Sequence, residues 1–197
     1  MEIIIHRVNK IKDLNKLDQK FGVEIDLRSY KNKVILSHEP FENGDNFEDY
    51  IDNYKHGTLV LNIKEAGIEN EVLKIVKKNK KIKNYFLLDV ETPYLFKCLN
   101  KKNKVSALRV SYYEPLEKLK KFKLLFNWFW LDSIIKLDFS DNDIKLLNKY
   151  KTCFVCPERW GKPELISFYK NYFKKKKIKI SAVMTSIKYV EKWLDTN

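Results

Sequence analysis

Short apolar runs rich in β-branched residues alternate along this chain with stretches whose apolar residues recur every three or four positions. The runs predict buried strands, and the stretches predict helices. The candidate strands cover residues 2–6, 23–27, 34–37, 58–63, 85–89, 105–110, 128–132, 152–156 and 178–184. The third run follows the second too closely for a crossover helix, which leaves eight strands. The distance along the chain from the start of one of these strands to the next is enough for the strand, a short helix and two loops.

Helix start signals fall between these strands. Pro93, Pro115 and Pro163 stand at predicted first turns, where the missing N–H costs nothing. Ser140 precedes a run of acidic and apolar residues, as an N-terminal cap does. Eight βα units without a linker predict one domain over residues 1–197, a small (β/α)8 TIM barrel with short helices. A doubly wound sheet is the alternative, but no Gly-x-Gly-x-x-Gly turn follows any predicted strand, and the chain has only five glycines.

Composition narrows the class of protein further. Hydrophobic residues make up 44% of the chain, which is enough for a packed core. Three cysteines cannot form a disulfide framework, so a reducing compartment is expected. The first residues form neither a basic nor a long apolar leader, and no apolar run has the roughly 18 residues of a membrane span. The sequence therefore predicts a soluble cytoplasmic protein, and it does not predict an oligomeric state.

The net charge of +13 raises the question of an anionic partner. Only four of the 39 basic residues are arginines, so 35 are lysines, and they are spread along the whole chain. Base readout and phosphate clamping favour the planar fork of arginine. The pattern favours a solvated lysine-rich surface, and no nucleic-acid partner is expected, although a binder of nucleic acid or anionic membrane stays open as an alternative.

Polar residues lie in or directly after the first two predicted strands. His6 and Arg7 end the first, and Glu24 and Asp26 lie two apart in the second, on one face. Active sites of barrels lie at these carboxyl ends. A carboxylate pair on one face suits a hard divalent cation such as Mg²⁺ or Ca²⁺.

The next strand ends continue the pattern. His38 and Glu39 follow the short extra strand, and Asn62 and Lys64 share a face at the end of the strand over 58–63. Two histidines facing a carboxylate pair can exchange protons with a substrate, and a lysine can stabilise an oxyanion. Cation, acid, base and lysine together indicate phosphoester chemistry.

These motifs resemble the glycerophosphodiester phosphodiesterase family, within the superfamily of phosphatidylinositol-specific phospholipase C-like barrels. The resemblance covers residues 2–64, and the remaining residues agree with the family only in the alternation of strands and helices. It implies metal-dependent hydrolysis of a small phosphodiester, with the following roles. His6 and His38 would be the general acid and base. Arg7 and Lys64 would bind the phosphate, and Lys64 would also serve in catalysis. The divalent cation, Mg²⁺ or Ca²⁺, would be held by Glu24, Asp26 and Asn62.

Three positions depart from the family pattern. Asn62 stands where the family has a third acidic ligand, Val8 where it usually has glycine, and Glu39 where aspartate is common. A neutral amide oxygen can ligate these cations but brings one negative charge less, so weaker metal binding is expected. Tight binding would instead indicate that another ligand, Asp89 or Glu91, has taken the place of Asn62. The alternative is a catalytically degenerate barrel that binds a phosphorylated ligand or a partner.

Later strand ends offer weaker candidates. Glu158 and Arg159 follow the strand over 152–156, and their position in a barrel makes them candidates for a substrate pocket. The sequence does not identify the alcohol groups of the substrate, nor whether the product is a cyclic or an open monoester.

Overall fold

The structure is a computed structural model that describes residues 1–100, 104–119 and 126–194. Its internal contacts divide the chain into two compact units, Ile4–Lys97 and Met1–Ile3 with Cys98–Asn197. The expected single domain over residues 1–197 stays a prediction.

The unit Ile4–Lys97 is organised around parallel strands with one antiparallel arm. The strands are β1 (Glu2–Ile5), β2 (Gly22–Tyr30), β3 (Lys33–Leu36), β4 (Asp45–Asn46), β5 (Leu59–Ile63) and β6 (Tyr85–Leu88). The helices are α1 (Ile11–Leu14), α2 (Phe47–Asn53), α3 (Glu69–Lys78) and α4 (Thr92–Asn100). β2 pairs in parallel with β1 and β5, β5 pairs with β6, and β3 and β4 extend β2 antiparallel.

The unit around Cys98–Asn197 continues the same alternation. Its strands are β7 (Ser106–Val110), β8 (Phe126–Leu131), β9 (Lys151–Val155) and β10 (Ala182–Thr185), and each pairs in parallel with the next. Its helices are α5 (Leu116–Leu119), α6 (Asp141–Leu147), α7 (Leu165–Lys176) and α8 (Val190–Leu194). Ser140 caps α6 in a reciprocal capping box with Asp143, which confirms the predicted start of that helix.

The fold class is a small (β/α)8 barrel, as predicted, with eight parallel strands among the described residues. The predicted strand over 178–184 is wrong at its start, since β10 begins at Ala182. Lys177 adopts a left-handed conformation that ends α7, and the amide of Ile178 donates to the carbonyl of Phe173. Ile178 is therefore still closing the helix, and the first backbone hydrogen bond to β9 is made by the Ser181 amide, which donates to the carbonyl of Thr152 at 3.0 Å.

A tight hairpin returns the chain towards the end of β2. Lys31 and Asn32 form its two-residue turn with φ of 47° and 62°, the conformation whose twist matches that of the flanking strands. β3 then runs antiparallel to the end of β2, and the Ser37 amide donates to the carbonyl of Asp26 at 3.1 Å. The hairpin therefore places the residues after β3 beside Asp26, in the middle of β2.

No helix in the described part of the chain combines the length and the apolar character needed to cross a bilayer.

Gly44 is needed where the loop after β3 passes close to that strand. A Cβ atom at position 44 would lie 2.0 Å from the carbonyl oxygen of Leu36, so the backbone would have to move. We expect Gly44→Ala to lower the free energy of unfolding by about 1–3 kcal/mol, the usual cost of overpacking. Denaturant unfolding measures the change, with Asn43→Ala as the neighbouring control. Equal stability of the two variants would contradict the close approach.

Candidate active site

The unit Ile4–Lys97 brings together the residues predicted at its strand ends. They are joined by hydrogen bonds and ion pairs that run through His6, Arg7, Glu24, Asp26, His38, Asn62 and Lys64. Four neighbouring segments supply them: the ends of β1, β2 and β5, and the loop after β3.

Two buried carboxylates on β2 form the centre of this cluster. Glu24 is 1% exposed and Asp26 is not exposed at all, and their alternate positions place both side chains on one face of the strand. Burial, and then the nearby charge of Asp26, raise the pKa of Glu24 to about 7. A buried carboxylate pair is costly to the fold, which is the mark of a functional site rather than of a core.

Three groups surround the carboxylate of Glu24. The backbone amide of Arg7 donates to Oε2 at 2.8 Å, and Asn62 Nδ2 donates to Oε1 at 2.8 Å. His6 Nε2 lies 3.8 Å from Oε2. Asn62 therefore acts here as a donor to a predicted metal ligand.

Asp26 is held by Asn9, a side chain that no pattern in the sequence singles out. Asn9 Nδ2 donates to Asp26 Oδ2 at 2.9 Å, and Asn9 Oδ1 accepts from the Asp26 amide at 2.9 Å. Arg7 Nε lies 3.7 Å from Oδ2, and Lys64 Nζ lies 3.4 Å from Oδ1. Lys64 also lies 3.8 Å from Asp89, so the predicted substitute ligand instead stands beside the lysine.

His38 lies between a cation and a carboxylate. Its Nε2 contacts Arg7 Nη2, and its Nδ1 contacts Glu39 Oε1. A guanidinium can only donate, so Nε2 must accept, and the proton is on Nδ1 facing Glu39. The hydrogen bond with His38 also lowers the pKa of Glu39. In this hydrogen-bond pattern the lone pair of Nε2 lies in the cluster, directed at Arg7.

Arg7 adopts a strained backbone conformation with φ of 54°. A non-glycine residue in this region costs about 1–3 kcal/mol unless its surroundings fix it. Glu24 supplies that support, because its side chain accepts from the Arg7 amide and its carbonyl accepts from the Val8 amide at 3.0 Å. Buried Tyr50 donates to the carbonyl of Val8 at 2.8 Å. These hydrogen bonds therefore hold the turn after β1 beside the carboxylate of Glu24.

Two buried oxygen atoms of the cluster are of the kind that hard cations prefer, although Lys64 Nζ lies 3.4 Å from one of them, Asp26 Oδ1. Within the described residues, buried Asp26 Oδ1 and Asn62 Oδ1 accept no hydrogen bond, and these two residues are register partners on β2 and β5. Oxygen donors of this kind suit Mg²⁺ or Ca²⁺. No three His, Cys, Asp or Glu side chains in the described ranges are grouped to hold a metal, so a site here needs the amide of Asn62.

The other predicted candidates lie in the second unit. Glu158 follows β9 and accepts from Thr185 Oγ1 at 2.9 Å and from the Ser186 amide at 2.7 Å, so it ties the ends of β9 and β10 together. Arg159 lies beside it in the same short turn and is half-buried. A role of either residue in a substrate pocket stays a prediction.

Sequence reasoning missed a second polar group in that unit. Buried Asp132 accepts from Arg109 Nη1 and, at 3.0 Å, from Trp160 Nε1. Arg109 lies near the carboxyl end of β7, and Asp132 directly follows β8. Their position at strand ends is the one signal in the sequence that could have indicated them.

The fold of this chain is similar to that of a solved structure. A crystal structure of a glycerophosphoryl diester phosphodiesterase from Parabacteroides distasonis matches 93% of this chain and 81% of its own, with a TM-score of 0.59. Sequence identity is 11%, so the likeness establishes the fold. No family model and no curated protein matches the sequence.

The raised pKa of Glu24 gives its substitution a pH-dependent effect. Between the ordinary value of 4.5 and about 7, the folded protein keeps a proton that the unfolded chain releases, so this contribution to stability is lost as pH rises through about 7. We expect Glu24→Gln, measured in EDTA, to stabilise the fold more at about pH 8 than at about pH 5, by up to about 3 kcal/mol.

The neutral amide fits the surroundings of Glu24. Its oxygen can accept from the Arg7 amide, and its NH₂ can donate to Asn62 Oδ1 after that side chain turns over. Denaturant unfolding at the two pH values checks this expectation, and exposed Glu48, which pairs with Lys78, supplies the control Glu48→Gln. A gain from Glu24→Gln that did not grow with pH would contradict burial as the cause.

Proposed function

We propose that this protein hydrolyses a small phosphodiester by acid–base catalysis with His6 and His38. The observation that carries the proposal is the joined cluster in one unit: two histidines, Arg7, Lys64 and a buried carboxylate pair. The fold likeness to a glycerophosphoryl diester phosphodiesterase supports the same class of reaction.

His38 would be the general base. Its Nε2 lone pair faces Arg7, and Glu39 holds the Nδ1 proton, which orients the ring as a carboxylate does in other histidine bases. When a substrate phosphate binds the Arg7 guanidinium, Nε2 of His38 can accept a proton from the attacking hydroxyl. That hydroxyl belongs to water or to a neighbouring alcohol of the substrate.

His6 would be the general acid. Its Nε2 lies 3.8 Å from Oε2 of buried Glu24, so its ring is within the cluster. As the new P–O bond forms, the P–O bond to the leaving alcohol breaks, and His6 gives that oxygen its proton. Arg7 and Lys64 would bind the charged phosphoryl oxygens throughout.

Glu24, Asp26 and Asn62 would hold the divalent cation. When bound, Mg²⁺ or Ca²⁺ offsets the negative charge on phosphorus in the transition state. The two buried oxygens that accept no hydrogen bond support this donor set, and the single amide ligand is the reason to expect weak binding.

The histidine roles predict a large and selective loss of activity. His6→Ala and His38→Ala should each lower phosphodiester hydrolysis by about 10²–10⁴, the usual value of a general acid or base. The remaining histidine, His56, contacts the carbonyl of Leu17 outside the cluster, so His56→Ala is the matched control. A screen of phosphodiesters with Mg²⁺, Ca²⁺ or EDTA measures the rates. Full activity of either cluster variant would remove that histidine from the mechanism.

The donor set predicts how metal binding responds at position 62. Asn62→Asp adds a third carboxylate of the same size next to Glu24, so without metal it should destabilise the fold through repulsion. Added Mg²⁺ or Ca²⁺ should then raise the melting temperature of this variant more than that of the unchanged protein, because bound ligand stabilises the folded state.

Calorimetric titration of the two proteins with each cation is the second readout for this donor set. Asn53→Asp, on the exposed surface of α2, controls for added charge. Equal cation affinity of Asn62→Asp and the unchanged protein would contradict a ligand at position 62.

The alternative of a catalytically degenerate barrel rests on the donor role of Asn62. Its hydrogen bond to Glu24, and the ion pairs of Asp26 with Arg7 and Lys64, satisfy the carboxylates with groups of the protein itself. Binding of a phosphodiester without hydrolysis under any metal condition would favour this function.

A further inference from the structure

Arg28 links two segments of the candidate active site through their backbones. Its Nε donates to the carbonyl of His38 at 3.1 Å, and its Nη1 donates to the carbonyl of Lys64 at 2.9 Å. His38 and Lys64 belong to different segments, the loop after β3 and the end of β5. The Arg28 guanidinium thus joins the segment of His38, the proposed base, to that of Lys64, which is proposed to bind the phosphate.

The sheet explains why a side chain is needed at this point. β2 lies between β3 and β5, with Leu27 in register with Leu36 on one side and Ile63 on the other. Just beyond, the amide of Lys64 donates to the carbonyl of Leu27 at 3.0 Å, and both neighbouring segments then leave the sheet. The carbonyls of His38 and Lys64 receive their hydrogen bonds from the fork of Arg28 instead of from a strand.

We infer that Arg28 is a positioning residue that fixes the spacing between His38 and Lys64. The inference rests on the proposed function for its catalytic consequence and on the two hydrogen bonds for its structural one. Displacement of a base by about 1 Å can cost about 10² in rate, even when the substituted residue never touches the substrate.

Lysine cannot replace arginine in this role. A lysine keeps the charge, but its ammonium is one point donor on a flexible stem, whereas the guanidinium holds two donors in a fixed plane. The neighbouring residue offers the matched control: Ser29 Oγ donates to Glu65, next to Lys64, and has no part in the contact with His38. Ser29→Ala therefore weakens the same segment of chain without removing the link.

The kinetic test compares Arg28→Lys, Arg28→Ala and Ser29→Ala in the full chain on the phosphodiester that the unchanged protein hydrolyses best. Both Arg28 variants should lower kcat by about 10- to 100-fold with little change in KM, and Ser29→Ala should not. Methylguanidinium should restore part of the kcat of Arg28→Ala, and methylammonium should not. Unchanged kcat in Arg28→Lys, an equal loss in Ser29→Ala, or no selective rescue would overturn the inference.

A second measurement separates this inference from the proposed function. The chain has three histidines, so the Cε1–Hε1 signals in a ¹H–¹³C spectrum can be assigned with His6→Ala and His56→Ala. The signal of His38 should shift in Arg28→Lys and stay in place in Ser29→Ala, whether or not the protein hydrolyses anything. An unmoved His38 signal in Arg28→Lys would overturn the inference, and absent hydrolysis with a moved signal would overturn only the proposed function.

Discussion

The burial of Glu24 and Asp26 on one face of β2 is the constraint on which the rest of the candidate site depends. Two carboxylates taken out of water must find donors or cations, because an uncompensated buried charge costs several kcal/mol. Each polar group that surrounds them meets that need. The Arg7 amide, Asn62 and Asn9 supply hydrogen bonds, and Arg7 and Lys64 supply positive charge.

This constraint also explains the backbone of the turn after β1. Arg7 can keep its left-handed conformation because Glu24 accepts two hydrogen bonds from the turn, one through the side chain and one through the carbonyl. The same turn directs the guanidinium to both Asp26 and His38. Arg7, the strained residue, is therefore the one that connects the carboxylate pair to His38, the proposed base. Contacts within the site offset the strain energy of its backbone.

The sequence predicted the barrel and the cluster because both follow from simple periodicities. Alternation along β2 places Glu24 and Asp26 together, and parallel strands bring His6 and Lys64 to the same edge. Asn9 and Arg28 escaped prediction because their partners are a side chain 17 residues away and two loop carbonyls, which no spacing in the sequence reveals. The start of β10 was misplaced because Ile178, a β-branched residue typical of strands, still closes α7.

Asn62 decides how the site balances its charge. The buried carboxyl groups of Glu24, whose pKa is raised to about 7, and of Asp26 are balanced by the positive charges of Arg7 and Lys64, which both lie beside Asp26. A third carboxylate at position 62 would break that balance and require a metal to restore it. The amide avoids this requirement, yet it leaves one oxygen without a hydrogen bond next to Asp26. That oxygen, together with the carboxylates of Glu24 and Asp26, is the donor set proposed above for a hard cation.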